Sequence, residues 1–367
     1  MTFKVPYVNF KAQYEAEKDD LARITDEVFA SGWLIGGEQV EALEAELAAY
    51  CGVEHAVALN SGTDALILGM KALDIGPGDE VITPPNSFVA STAAIIAVGA
   101  TPVFVDVGDG INIDPAKIEA AVTTKTKAIM PVHLSGRIAD MDTINTIAEQ
   151  HRLYVIEDAA QSAGSTYKGK KSGSLGTLGC FSAHPLKNLN AAGDAGFLTT
   201  DNAGVAERIK LLRNHGLKDR NTVVEWGTVS RLDSLQAAIL RYRLRNIETL
   251  IRARRNNALH YREKLSGKGF ELPLGKEHEF NTFHTFIIQA ERRDELQAFL
   301  LEHGIETAIH YPIPIHLQPA ARSLGYKEGD FPVCEAQAKH ILSLPIHQYL
   351  SYQEVDQVAD MVNRFYE

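Results

Sequence analysis

HAVALNSGTDALILGMKALDIGPGDEVITPPNSFVASTAAIIAVGATPVFVDV (55–107) alternates short apolar runs with segments of helical period. HAVALNS reads as a strand, and Thr63 to Leu73 as a helix. A strand near Glu80 to Thr83, a helix near Val89 to Val98 and the strand PVFVDV (102–107) follow. Upstream, Val40, Leu43, Leu47 and Tyr50 keep 3-4-3 spacing in a helix that ends at Cys51-Gly52. Downstream, AIMPVHL (128–134) reads as a strand, Met141 to His151 as a helix, and LYVIEDA (153–159), CFSAH (180–184) and GFLTT (196–200) as strands. Such alternation predicts an α/β fold, a mostly parallel sheet with helices on both faces.

The pattern changes at Ser230, where a long helix places Leu232, Leu235, Ile239 and Tyr242 on one face. Beyond it come an apolar strand TFHTFIIQA (282–290), a helix (292–303), a strand ETAIHYP (306–312) and a helix (333–342). A terminal helix carries Val355, Val358, Val362 and Phe365. The expected division is a large α/β domain over 1–250 and a smaller α+β domain over 251–367.

At 367 residues, 45% hydrophobic and 23% charged, the chain has the composition of a folded globular protein. Its formal charge of -11 argues against a nucleic-acid-binding surface. No run of about 18 apolar residues suggests a membrane span. The opening MTFKVPYVNFKAQYEAEKDD becomes charged too early for a secretory signal. Cys51, Cys180 and Cys334 are far apart and form no C-x-x-C pair, so a reducing cytoplasm is the expected home. The 13 His lack ligand spacing, and no metal site is expected. A P-loop, an H-E-x-x-H helix and a G-x-S-x-G elbow are all missing. GPGDE (76–80) lies between helix and strand, the reverse of the dinucleotide-binding order, and SLGTLG (174–179) has the wrong glycine spacing.

Three places at strand ends hold residues with chemistry to offer. In NSGTDAL (60–66) a strand turns into a helix, whose first N–H groups and two hydroxyls could cradle a phosphate or carboxylate. Ser61 or Thr63 could equally be a plain N-cap. In IEDAAQS (156–162) Asp158 ends an apolar strand, where a carboxylate needs a cation or strong donors, or caps a following helix. In CFSAHPLKNLNAAGDAG (180–196) a strand leads into a turn carrying Ser182, His184 and Lys187. Most lysines are solvated surface charges, but one in a tight turn at a strand end suits Schiff-base chemistry. A phosphate cradle, a buried carboxylate and an amine together ask for a cofactor with a phosphate, a basic ring nitrogen and an aldehyde. Pyridoxal 5'-phosphate (PLP) has all three.

These residues resemble the DegT/StrS group of fold-type I PLP enzymes, sugar aminotransferases that act on nucleotide-linked keto sugars. The resemblance runs in order through SGTDAL (61–66), PGDEVITP (77–84), NSFVAS (86–91), EDAAQS (157–162), SAHPLKNLNAAGDAG (182–196), SRLDSLQAAIL (230–240) and HYPIPIHLQPA (310–320). It implies that Lys187 forms the imine, Asp158 pairs with the pyridine nitrogen and Gln161 donates to the ring hydroxyl. It places Gly62, Thr63 and Ser182, with Ser61, at the phosphate and Phe88 against the ring. His310 and Tyr311 match a segment near the sugar, and Trp33 in SGWLIGG a loop bordering the substrate; Arg231 is a candidate substrate contact as part of a local basic patch. Arg137, Arg213, Lys218 and Arg220 are other candidates for a basic patch under the sugar nucleotide. Where relatives carry an Asn that reaches the phosphate from a neighbouring subunit, this chain has Val229 in GTVSRLD.

The implied activity is transfer of an amino group from glutamate to a 3-keto or 4-keto sugar nucleotide. The implied enzyme is a homodimer with active sites at the interface, serving polysaccharide, O-antigen (lipopolysaccharide) or natural-product biosynthesis. A sugar dehydratase on the same fold and a non-catalytic regulatory relative are the alternatives. Lys187 favours transamination, because dehydratases of this group carry His at that position.

Overall fold

The apolar runs assemble into a seven-stranded sheet in the computed structural model, which describes residues 3–108, 110–273 and 275–367. In spatial order its strands are His55–Leu59, Gly196–Thr200, Leu178–Ser182, Tyr154–Asp158, Thr126–Ile129, Glu80–Thr83 and Thr101–Phe104. Six point one way. Gly196–Thr200 alone runs antiparallel to both its neighbours. Most strand residues are buried because helices cover both faces, with exposed positions such as Thr101, Lys127 and Tyr154 near strand starts.

On one face Leu66, Leu68 and Met70 of helix Gly62–Ala72, Ile95 of Val89–Ala97 and Ile209 of Ala203–Leu212 pack on Val57, Leu59, Ile156 and Leu198. On the other, Val40, Leu43 and Leu47 of Glu38–Cys51 and Leu240, Leu244 and Ile247 of Ser234–Lys264 enclose Ala58, Phe181 and Phe197. The rings of Phe181 and Phe197 stack at 4.4 Å across the antiparallel pair. Met141–His151 adds Ile144 and Ile147 over Ile82, Ile129 and Val155.

The 31-residue helix Ser234–Lys264 contains residue 250 and joins two cores. Its second half contributes Ala258 and Tyr261 to a cluster with Phe286, Leu342, Leu344, Val355 and Val358. That cluster covers an antiparallel sheet of Phe270–Glu271, Phe286–Ala290 and Ile341–Leu344, flanked by helices Arg293–Glu302 and Tyr352–Tyr366. Val5 from the other end of the chain is buried in it too.

Several boundaries differ from the sequence reading. ETAIHYP is not a strand; Ala308 makes one bridge to Ser343 and the rest is irregular, with bends at His310 and Pro312. The helix expected over 333–342 is Pro332–His340, and Ile341 opens a buried strand at once. The regular strand in AIMPVHL ends at Ile129, since Pro131 has no N–H to donate, and Val132 makes one further parallel bridge to Asp158 before the chain bends at Leu134–Gly136. The helix Phe10–Ser31 has no counterpart in the reading.

Candidate active site

A cavity of about 350 Å³ opens at the carboxyl ends of the parallel strands, between the two cores. Open α/β sheets place ligands at such strand ends. Ser61, Gly62, Thr63, Phe88, Asp158, Gln161, Ser182, Lys187, His310 and Tyr311 all line it.

The floor is set by how closely the strand ends approach. Helix Gly62–Ala72 begins at Gly62 with Ser61 as its N-cap, the Ser61 hydroxyl accepting the N–H of Asp64 at 3.1 Å. A Cβ on Gly62 would lie 2.7 Å from the Ser182 Cβ, so only glycine lets the two segments meet. Gly196 is as constrained, since its Cβ would lie 2.3 Å from the Ser61 carbonyl carbon. The result is a helix start, with its unpaired N–H groups and positive dipole end, beside two hydroxyls.

Asp158 ends Tyr154–Asp158 and is 6% exposed. No helix follows it, so it is not a helix cap. Its Oδ2 accepts the Ser91 hydroxyl at 2.6 Å and its Oδ1 the Ala160 N–H at 3.2 Å. The bent segment 131–135 holds this strand end and its neighbour together. His133 N–H donates to the Asp158 carbonyl at 3.0 Å. Ser135 N–H donates to Gln161 Oε1 at 2.7 Å. The Gln161 amide nitrogen is 3.4 Å from the Tyr311 hydroxyl. Behind them His133 and Glu157 are wholly buried, with His133 Nε2 at 3.0 Å from Glu157. Glu157 also accepts the N–H groups of Gly173, Leu175 and Gly176, each at 2.8 Å.

Lys187 projects into the cavity from the turn after Ser182. Burial pushes its amine down to about 8, partly opposed by the charge of Asp158. Burial also lowers His310 to about 4, and the charge of Lys187 adds to that shift. His310 Nδ1 is 2.9 Å from the Ser343 hydroxyl. Tyr311 is raised, first by burial and then by Asp158, and keeps its proton. The Phe88 ring is half exposed at the mouth, 5.9 Å from that of Tyr311.

Trp33 and Arg231 are not in this cavity within one chain. Trp33 is 67% exposed, and Arg231 Nη1 donates to Asn214 Oδ1 at 3.3 Å. Arg137 and Arg213 are occupied by Glu279 and Glu44, which leaves Lys218 and Arg220 as the exposed members of the basic set. The reading from sequence missed Tyr7, Ser91, Ser135, Arg254, His284 and Thr285. Ser91 closes the quoted motif NSFVAS without a role read for it, the others lie outside the quoted motifs, and only the fold brings them together.

The DegT/DnrJ/EryC1/StrS aminotransferase family model matches residues 15–363. The chain belongs to this family. Among its curated relatives, the "pleiotropic regulatory protein" of Geobacillus stearothermophilus is 44% identical, over 99% of this chain and 98% of its own. The dTDP-3-amino-3,4,6-trideoxy-alpha-D-glucose transaminase of Streptomyces venezuelae is 41% identical, over 100% of this chain and 97% of its own. Among solved structures, S. venezuelae DesV in complex with a ketimine intermediate superposes with a TM-score of 0.97 at 41% identity, covering 100% of this chain and 99% of that one. The family is PLP-dependent, and its fold is the α/β architecture described above.

Proposed function

We propose that the protein moves the amino group of glutamate to a nucleotide-linked 3-keto sugar, with PLP as cofactor. The observation that carries this reading is the convergence of Lys187, Asp158, Gln161 and the Gly62–Ser182 cradle on one cavity. The position of the keto group follows the S. venezuelae relative, whose name places nitrogen at C-3.

The residues fit the cofactor. The N–H groups at Gly62 and Thr63, with the Ser182 hydroxyl, suit a phosphate that no side chain beyond Cβ could share with this floor. The buried Asp158 carboxylate faces the cavity, where a protonated ring nitrogen would supply its counter-charge. Gln161 has its amide nitrogen turned inward and Phe88 offers a ring face. Bound there, PLP supplies an electron sink for the carbon that loses its proton.

The chain's own groups do the rest. Lys187 would hold the cofactor through its amine, and the same amine, free in the cavity, would carry a proton to and from the donor's α-carbon. In the chain alone, burial already brings this amine to about 8, nearer neutral pH than a solvated lysine and so better suited to proton transfer. Asp158, fixed by Ser91 and Ala160, holds its charge against the ring nitrogen throughout. Tyr311 and Phe88 shield the cavity from water.

Trp33, Leu34, Ile35, Val223, Val224 and Trp226 are exposed apolar side chains, an unusual load for a monomer. They support a homodimer in which a second copy covers the mouth and brings Trp33 and Arg231 toward the sugar nucleotide. With Val229 in the usual Asn position, the phosphate is held mainly from its own chain. A regulatory reading, which the name of the Geobacillus relative invites, would leave these groups without a task. Borohydride reduction of the PLP-loaded protein followed by peptide mapping tests the assignment. Label on Lys187 supports it, and label on Lys168, Lys170 or Lys171 refutes it.

A further inference from the structure

Arg254 lies on the long helix, is 6% exposed, and lines the same cavity as Lys187. Its Nη1 donates to the carbonyl oxygens of Phe283, His284 and Ile346 at 3.1, 3.2 and 2.8 Å. Its Nε is buried without a partner. Every partner of this guanidinium among the described residues is thus a neutral carbonyl. Two acids line the cavity, Asp158 and Asp194, and Asp158 is already engaged by Ser91 and Ala160. Tyr7, His284 and His347 line the cavity too and bring no negative charge. His284 Nδ1 and both ring nitrogens of His347 are buried without partners.

A buried cation without a counterion is costly unless the ligand supplies one. The two substrates differ on this point. A keto sugar offers hydroxyls around its reacting carbon, with its phosphates at the other end. An amino-acid donor carries a carboxylate one bond from the carbon that bears its amine, so the carboxylate must enter the cavity with it.

We infer that Arg254 is the receptor for the donor's α-carboxylate, with Tyr7, His284 and His347 as the uncharged polar wall around it. The assignment rests on the transaminase reading and adds the donor subsite to it. It divides the cavity by half-reaction, because the charge of Arg254 is used when glutamate is bound and idle when the sugar is.

The test uses the holoenzyme and two variants, Arg254→Met and Arg254→Lys. Each half-reaction is followed alone by cofactor absorbance, glutamate with the PLP form and keto-sugar nucleotide with the pyridoxamine phosphate form. Truncating one member of a buried charge pair lowers kcat/KM for glutamate by about 10²-fold in Arg254→Met, at least about 30 times more than for the sugar. The parent's preference for glutamate over 4-aminobutanoate, which lacks the α-carboxylate, collapses in Arg254→Met and partly returns in Arg254→Lys. Equal losses in both half-reactions with a lower Tm would make Arg254 a clamp between segments and overturn the assignment. An unchanged glutamate half-reaction would overturn it as well. A parent protein inactive in both half-reactions would instead refute the transaminase reading.

Discussion

Lys187 gives the sharpest quantitative consequence of the site. Burial brings its amine to about 8, against 10.5 for a solvated lysine. At pH 7.5 about a quarter of such an amine is uncharged, compared with about one in a thousand for an ordinary lysine. Only the uncharged amine attacks an aldehyde, so the apoprotein should capture PLP about two orders of magnitude faster at pH 7.5 than an exposed lysine would allow. Stopped-flow absorbance across pH 6–10 should show a capture rate that climbs and levels above about 8. Asp158 opposes the shift, so Asp158→Asn should move the inflection downward. Stability follows with a defined sign. Between 8 and 10.5 the unfolded chain binds more protons at this position than the folded one, so the apoprotein gains stability as pH rises through that window. The gain is at most about 3 kcal/mol, and Lys187→Met should lack it. An inflection near 10, or an upward shift in Asp158→Asn, would show that the amine is not held in a desolvated cavity.

Asp158→Asn should also bind PLP yet turn over slower by orders of magnitude, since a placed charge of this kind is commonly worth several kcal/mol; steady-state kinetics within about threefold of the parent would reduce Asp158 to a structural residue. Glu157→Gln puts a donor where four donors converge and leaves a buried N–H unpaired, so urea unfolding should show a loss of about 1–3 kcal/mol. Tyr261→Phe removes a wholly buried hydroxyl with no partner and should leave Tm unchanged or raise it, by an amount equivalent to about 1 kcal/mol. Val229→Asn should change PLP affinity by about one hydrogen bond, 0.5–1.5 kcal/mol, in a titration followed by absorbance.

The parallel part of the sheet was readable from sequence because strands such as His55–Leu59 and Glu80–Thr83 are apolar runs cut off by glycine and proline turns. Helix Phe10–Ser31 was not. It buries only Gln13, Ile24 and Val28, leaving Phe10, Tyr14 and Phe29 exposed, so it shows no apolar stripe of ordinary width. Strand Ile341–Leu344 follows its helix directly, with no glycine or proline at the junction to mark the change of period. The reversed direction of Gly196–Thr200 leaves no trace in a strand buried on both faces. In the site, the residues carried by local motifs stood out, namely the Ser61–Gly62–Thr63 turn, Asp158 with Gln161, and Ser182 with Lys187. Ser91, Ser135, Arg254 and His284 did not, because each matters through a neighbour distant in sequence, as Ser91 does through Asp158. Arg231 and Trp33 lie outside the cavity of one chain, and a role for them waits on the second copy.

The most direct test of the account supplies nitrogen-15-labelled glutamate and a panel of 3-keto and 4-keto sugar nucleotides to the PLP-loaded protein, with products read by mass spectrometry. The account requires a labelled amino sugar formed from a 3-keto substrate, one 2-oxoglutarate per product, and no product when glutamate is withheld. A sugar that loses water without gaining the label, or no conversion of any keto sugar by protein carrying PLP on Lys187, would contradict it.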